Sequence, residues 1–458
     1  MAIECEVLVV GGGLAGITAA ISAARDGADV RLVSHKKSSL RQASGLVDAL
    51  GYVPPATDID DQADYISQAR KDFREVRANR GEYRGPLETP YEGIDDLPDT
   101  HPYSLVGADA LREGLALFDD LTGEAYLGGH TDRNALVPTF GGSLKPTARY
   151  PRAAAAGLAS DDRPMLVVGF RSLTDFDAGL VAEALAAAGV PFPVEGAEVP
   201  FAESFPADAK VTRLAKALDH DEVIGRKSAR AALADAVALH LDGAERVGFP
   251  AVLGDDHADE VRADLADRLG ADVFELPMGP PSLPGLRLED RLYAALDDAG
   301  VRFETGNPVV GYETDRSGDR VASVLVERKG RDVPYAAESF VLATGGLVGK
   351  GIASDRERVR EPVFDCHVPQ PDDRYDWFVD DVFGDQPYAR FGVRPDESMR
   401  PLDADGSAEF ENLHAAGAVV GGADVAREKS ASGVSLATGV VAGREAAERP
   451  AMSTETHR

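Results

Sequence analysis

The feature that most limits how this 458-residue chain can fold stands at its N-terminus. Glu6-Val7-Leu8-Val9-Val10 is a short apolar, β-branched run, Gly11-Gly12-Gly13-Leu14-Ala15-Gly16 follows it, and the alanine-rich stretch 17–25 favours a helix. In a strand–turn–helix of this kind Gly11 permits the tight turn and Gly13 lets a pyrophosphate approach the backbone. Gly16 lets the helix lie close on the strand. Leu14 and Ala15 open the helix, where the first N–H groups have no intrahelical acceptor and can meet an anion. A second strand over 29–33, after Gly27, completes the unit.

The end of that second strand is unusual. A carboxylate is expected there to hold a ribose hydroxyl, but the sequence reads Ser34-His35-Lys36-Lys37. Three readings follow: Ser34 makes the ribose contact, the basic trio meets an additional phosphate, or the cofactor has no adenosine half.

Matching pieces lie near the other terminus. The stretch 338–346 runs as an apolar strand into Thr344-Gly345-Gly346, and 412–420 reads as another strand with glycines at 417, 421 and 422. A helix of small residues then opens at Ser432-Gly433-Val434. In this order the pieces resemble the flavoproteins of the glutathione reductase and fumarate reductase superfamily. The resemblance implies that Thr344, Gly345 and the Gly417 region meet the flavin and that the helix from Ser432 aims its positive end at the flavin pyrimidine, where it favours a reduced, anionic ring. It also places Ser44 and Gly45, in the small-residue loop 38–48, against the isoalloxazine. The expected fold class is α/β, a Rossmann-like flavin-binding domain (three-layer, parallel sheet) interrupted by a second α/β or α+β cap domain. The boundaries drawn from sequence are 1–57 and 277–448 for the flavin-binding domain, 58–276 for the inserted cap or substrate domain, and 449–458 for a tail.

Four further motifs sharpen the resemblance: 136–147 (Leu-Val-Pro-Thr-Phe-Gly-Gly-Ser-Leu-Lys-Pro-Thr), 167–177, 281–288 and 417–424. Together they are similar to the B-subunit family of anaerobic glycerol-3-phosphate dehydrogenases over nearly the whole chain. The resemblance implies a flavoprotein, with FMN as the cofactor and FAD as the alternative. Its implied partners are a catalytic, FAD-carrying A-subunit and an iron–sulfur, membrane-associated C-subunit. The implied reaction takes sn-glycerol 3-phosphate to dihydroxyacetone phosphate and passes electrons towards quinone. FMN agrees with the missing acid after the second strand, whereas the glycine turn normally holds a pyrophosphate.

Oxidising a phosphorylated alcohol calls for a proton acceptor and for cations that bind the phosphate dianion. The candidates are His130, after Gly128-Gly129, with Lys145, Arg149 and Arg287 as cations; His414, beside the late strand, is a second candidate base.

Composition narrows the partners. There are 78 acids against 48 bases, a net charge of −30, and only ten lysines among the bases. Such acidity disfavours nucleic acid and anionic lipid as direct partners and suits concentrated salt, where cations screen the carboxylates. Two cysteines, Cys5 and Cys366, cannot ligate an iron–sulfur cluster, and no metal-ligand spacing occurs. An acidic start and the lack of a long apolar run point to a cytoplasmic chain without a direct membrane span, attached to the inner face of the membrane through a partner. Two other functions are compatible with these motifs: a standalone oxidoreductase of the fumarate reductase or L-aspartate oxidase type, and a non-catalytic assembly subunit with a degenerate nucleotide fold.

Overall fold

A computed structural model describes residues 2–55, 83–201, 205–206, 209–280 and 282–448. These form two compact bodies, one comprising Met1–Ser39, Tyr52–Leu121 and Leu292–Arg458, the other Leu40–Gly51 and Thr122–Arg291.

The first body is built on a seven-stranded sheet. The opening strand Ile3–Val10 lies parallel between Val30–Ser34 and Arg331–Leu342, with Arg302–Thr305 outside the second strand. Leu413–Ala415 pairs parallel with the end of Arg331–Leu342, and the antiparallel strands Val321–Arg328 and Val309–Thr314 extend the sheet from that strand's first half. Thus the expected parallel sheet carries an antiparallel extension. Both faces of the opening strand are covered, and Val7, Leu8, Val9 and Val10 are all buried, as a central parallel strand requires.

Helix Leu14–Arg25 follows the glycine turn and packs along helix Ala431–Ala447. The small residues foreseen in the late helix serve this packing. A Cβ on Gly439 would lie 2.8 Å from the Ala15 carbonyl oxygen, and one on Gly443 would lie 2.3 Å from that of Ala19. The helical stretch Pro102–Thr122, interrupted at Gly107, also reaches this helix: a Cβ on Gly114 would come within 2.8 Å of the Leu436 backbone. Residues 83–121, drawn from sequence into the insert, therefore belong to the first body.

The second body has a four-stranded, all-parallel sheet in the order Val194–Val199, Met165–Phe170, Arg246–Pro250, Asp272–Leu276. Helices Ala178–Ala187, Val211–Asp219, Ala229–Ala238 and Ala258–Leu269 pack with it around one apolar core that includes Val167, Leu185, Leu233, Phe249 and Leu265. As the Asp177 position suggests, its carboxylate caps the first of these helices by accepting the Leu180 N–H at 2.9 Å. Arg246 is fully buried, and its guanidinium donates to the carbonyls of Ala156, Leu158 and Arg163. The division between bodies falls inside helix Leu283–Asp298, between Arg291 and Leu292, and not at the proline-rich stretch 277–285. The expected tail 449–458 and residues 56–82 lie outside the described residues.

Gly443→Ala forces its new methyl against the Ala19 carbonyl, at a cost of about 1–3 kcal/mol. Denaturant titration in concentrated KCl reads this loss directly. Unchanged stability would mean that the two helices do not approach this closely.

Candidate cofactor site

The glycine turn has the geometry its sequence calls for. Gly11 has φ +120°, and a Cβ there would sit 2.1 Å from the Ala343 carbonyl oxygen; at Gly16 it would sit 1.9 Å from the Gly11 oxygen. Both are packing glycines. Gly13 differs, because its backbone is extended and the nearest atom to a Cβ is the Ser39 hydroxyl at 3.9 Å. Space is therefore left in front of the first N–H groups of the helix, where Leu14 and Ala15 stand.

The late segments converge on the same turn. Ala343, next to Gly11, leads directly into Thr344 and Gly345, and Gly345 has φ +87°. Thr344 Oγ1 is buried and has no hydrogen-bond partner. Gly417 also has positive φ, donates its N–H to Thr438 Oγ1 at 2.8 Å, and would place a Cβ 2.5 Å from that of Ala15. The residues present fit a flavin with a diphosphate: open backbone at Gly13, a helix N-terminus behind it, and an orphaned hydroxyl at Thr344. Ser34 is the exception. Its hydroxyl donates to the Lys36 carbonyl at 2.7 Å in a local turn, while His35, Lys36 and Lys37 are exposed.

Ser432, Gly433 and Val434 form the first turn of helix Ala431–Ala447, as expected from sequence. A buried network that sequence reasoning missed anchors this turn. Glu428 receives the Ser430 hydroxyl at 2.9 Å and the Asp424 N–H at 2.9 Å, and lies 3.1 Å from His101 Nε2. His101 Nδ1 accepts the Tyr103 N–H at 3.0 Å, so the ring proton sits on Nε2 and is donated to Glu428. Burial alone would raise the Glu428 pKa, but the His101 and Ser430 hydrogen bonds hold it below the ordinary glutamate value. His101 reaches Glu428 from more than 300 positions away.

The remaining predicted residues, His414 excepted, lie in the second body. Gly45 has φ +78°, its Cβ position is filled by Pro284 at 2.7 Å, and its carbonyl accepts the Tyr126 hydroxyl at 2.9 Å. Ser44 Oγ accepts the Leu46 N–H at 3.4 Å. Both therefore have structural work in their own loop.

His130 is exposed on the turn after Gly128. Lys145 pairs with buried Asp48 at 2.8 Å. Arg149 is 8% exposed and donates to the Ala148 carbonyl at 3.0 Å. Arg287 is gripped by Glu275 at 2.6 and 3.1 Å and also donates to the Gly254 carbonyl. In the first body, His414 is buried and donates from Nδ1 to the Ser398 carbonyl at 2.8 Å, and burial pushes its pKa down. The second body's sheet order reverses between Met165–Phe170 and Arg246–Pro250, where open parallel sheets bind ligands. There the N–H groups of Asp255, Asp256 and His257 converge on the Asp219 carboxylate at 2.8, 3.1 and 3.1 Å. The anion in this nest is the chain's own side chain.

This fold and this turn define a flavin nucleotide-binding protein, and comparison with known proteins agrees. The family described as FAD binding domain matches residues 6–434. The B-subunit of the probable anaerobic glycerol-3-phosphate dehydrogenase of Halobacterium salinarum is 55% identical over 452 residues, 98% of this chain and 99% of that one. The B-subunit of the anaerobic glycerol-3-phosphate dehydrogenase of Pectobacterium carotovorum is 30% identical over 443 residues, 94% of this chain and 96% of that one. Among solved structures, a quinol fumarate reductase from E. coli aligns with 98% of this chain and 70% of its own, at 10% identity and a TM-score of 0.40. The chain belongs to the B-subunit family of anaerobic glycerol-3-phosphate dehydrogenases. No helix among the described residues is long and apolar enough to cross a membrane.

Arg287→Met leaves Glu275 as a buried, uncompensated charge and should cost about 3–5 kcal/mol of stability. Adding Glu275→Gln should return much of the loss, because the neutral amide still accepts the Leu253 N–H now bonded to the carboxylate at 2.7 Å. Denaturant titrations of the single and double variants test this. A raised KM with unchanged stability in the single variant would instead assign Arg287 to substrate.

Proposed function

We propose that this chain holds FAD in the first body and acts as an electron-relaying flavoprotein subunit of the complex that oxidises sn-glycerol 3-phosphate to dihydroxyacetone phosphate. The relatives' names support a subunit of a multi-subunit oxidoreductase, and the matching family is an FAD-binding one. FMN, which the family resemblance implied, finds no support in that family match. The open Gly13 turn argues for a diphosphate as well, since a monophosphate needs no such approach of backbone to pyrophosphate.

One observation supports the relay reading: candidate cations for substrate phosphate are engaged by the chain's own carboxylates. Lys145 faces Asp48, Arg287 faces Glu275, and the nest after Arg246–Pro250 is closed by Asp219. A bound flavin supplies hydride acceptance and one-electron transfer. The chain's own contribution is to position it. The N–H groups at Leu14 and Ala15 neutralise phosphate charge, Thr344 Oγ1 offers a hydrogen bond that it does not make within the protein, and the start of helix Ala431–Ala447 presents its positive end. Glu428 and His101 hold that start in place.

In this reading substrate oxidation belongs to a partner, the catalytic FAD-carrying subunit. An iron–sulfur subunit takes up the electrons, passes them towards quinone and attaches the assembly to the membrane.

The test is an absorption spectrum of protein purified in concentrated KCl, with the released cofactor identified after denaturation. The expected result is bound FAD that stays oxidised when glycerol 3-phosphate is added anaerobically and bleaches once the catalytic partner is present. Bleaching without that partner would make this chain the catalytic one, and protein without flavin would leave an assembly role. Gly13→Ala should lose at least tenfold in flavin affinity while its unfolding midpoint without cofactor stays unchanged, because the methyl meets only the space reserved for the ligand. Equal flavin content in the variant would move the diphosphate elsewhere.

A further inference from the structure

Asp48, Glu275 and Glu289 are buried carboxylates that each face a cation, Lys145, Arg287 and Arg41 respectively. Glu428 does not. It is 1% exposed, and its direct partners among the described residues are neutral donors: the Ser430 hydroxyl, the Asp424 N–H and the Nε2–H of His101, whose ring is fully buried. Arg390, whose charge also reaches Glu428, is hydrogen-bonded to Asp385 at 2.8 Å. The hydrogen bonds from His101 and Ser430 keep the carboxylate ionised, and neither cancels its charge.

This charge stands at the start of a helix. Ser430, one hydrogen bond from Glu428, is the N-cap residue of helix Ala431–Ala447. A serine there ordinarily turns its oxygen to an N–H two or three residues on, a bond worth about 1 kcal/mol. Ser430 makes no such bond, because its hydroxyl is directed at Glu428. The capping that Asp177 performs for its own helix is given up here. A helix N-terminus carries roughly half a positive charge, so a full negative charge this close to the N-cap opposes it.

The direction of the helices relates this end to the cofactor cradle. Ala15 lies against Gly439 and Ala19 against Gly443, so helix Leu14–Arg25 and helix Ala431–Ala447 run the same way. Counted back from those contacts, the later helix begins about seven residues, or roughly 10 Å, ahead of the first at 1.5 Å per residue. The space for a diphosphate lies in front of Leu14, at the open Gly13. A flavin ring stands one ribityl chain beyond its phosphate, and the later helix overhangs the diphosphate space on that side.

A bare helix end aimed at the ring favours the reduced, anionic form and so retains electrons. A relay has to release them. A buried carboxylate at the same helix end acts in the opposite direction, and its burial protects the effect from screening in concentrated salt.

We propose that Glu428, held by His101, is a positioning residue that lowers the reduction potential of the flavin: its carboxylate draws the Ser430 hydroxyl off the helix start and sets a negative charge against the positive end of helix Ala431–Ala447. The proposal rests on the reading of this chain as an FAD-binding, electron-relaying subunit.

The experiment is an anaerobic redox titration, with mediator dyes, of the flavin-loaded full chain in concentrated KCl. Glu428→Gln removes the charge and should shift the reduction equilibrium of the flavin at least tenfold toward the reduced form, about 30 mV upward for a two-electron couple. Glu428→Asp withdraws the carboxylate by one methylene and disturbs the hydrogen bonds at least as much, but it keeps the charge, so its potential should stay near that of wild type. Ser430→Ala keeps the charge and removes a donor that partly offsets it, so its potential should fall; this variant decides the matter if Glu428→Gln does not fold. Glu448→Gln, exposed at the far end of the same helix, is the control and should titrate as wild type. An unshifted Glu428→Gln, equal upward shifts in Glu428→Gln and Glu428→Asp, or a raised or unchanged potential in Ser430→Ala overturns the proposal. So does a folded Glu428→Gln without flavin, which would give the residue to cofactor binding. Wild-type protein without flavin overturns the cofactor reading as well, whereas wild type with bound FAD and an unshifted Glu428→Gln overturns the role of Glu428 alone.

Discussion

The close contact between helix Leu14–Arg25 and helix Ala431–Ala447 is the constraint on which the first body depends. It joins the two ends of the sequence, and it works only because alanines and glycines face each other along it. Ala15 meets Gly417 and Gly439, and Ala19 meets Gly443. Even a methyl added at Gly417, Gly439 or Gly443 would collide with helix Leu14–Arg25 and push the late segment away from the glycine turn, and Thr344, Gly345 and Gly417 would no longer stand beside Gly11 and Ala15. Glycines at 439 and 443 therefore reduce the intrinsic stability of their helix, and the packing they permit offsets that cost. The cradle geometry is a consequence of helix packing as much as of the phosphate turn.

Much of this was legible in the sequence because it depends on local chemistry. An apolar run, a glycine turn and an alanine-rich helix describe a strand, a phosphate-facing turn and a tightly packed helix before any tertiary contact is known. What could not be read were choices made by distant neighbours. His101 is one of nine histidines and has no distinguishing local context, yet it completes the hydrogen bonds around Glu428. The body boundary inside helix Leu283–Asp298 was equally hidden, since a continuous helix carries no composition change where the packing partners change.

The cations illustrate the same limit from the opposite side. Lys145, Arg149 and Arg287 fall in motifs that resemble a family's, and phosphate chemistry calls for such residues. The fold commits them: a nearly buried Asp48 lies against Lys145, and Glu275, 2% exposed, takes two bonds from Arg287. Burying a carboxylate is costly unless a guanidinium or ammonium satisfies it, so these two buried acids have each recruited a base.

An excess of surface acids bears on how such a chain can recognise a partner. Surface carboxylates in strong salt contribute solubility and little specific attraction, because screening reduces their reach to a few ångströms. Specificity must then come from shape and from apolar burial, which salt strengthens.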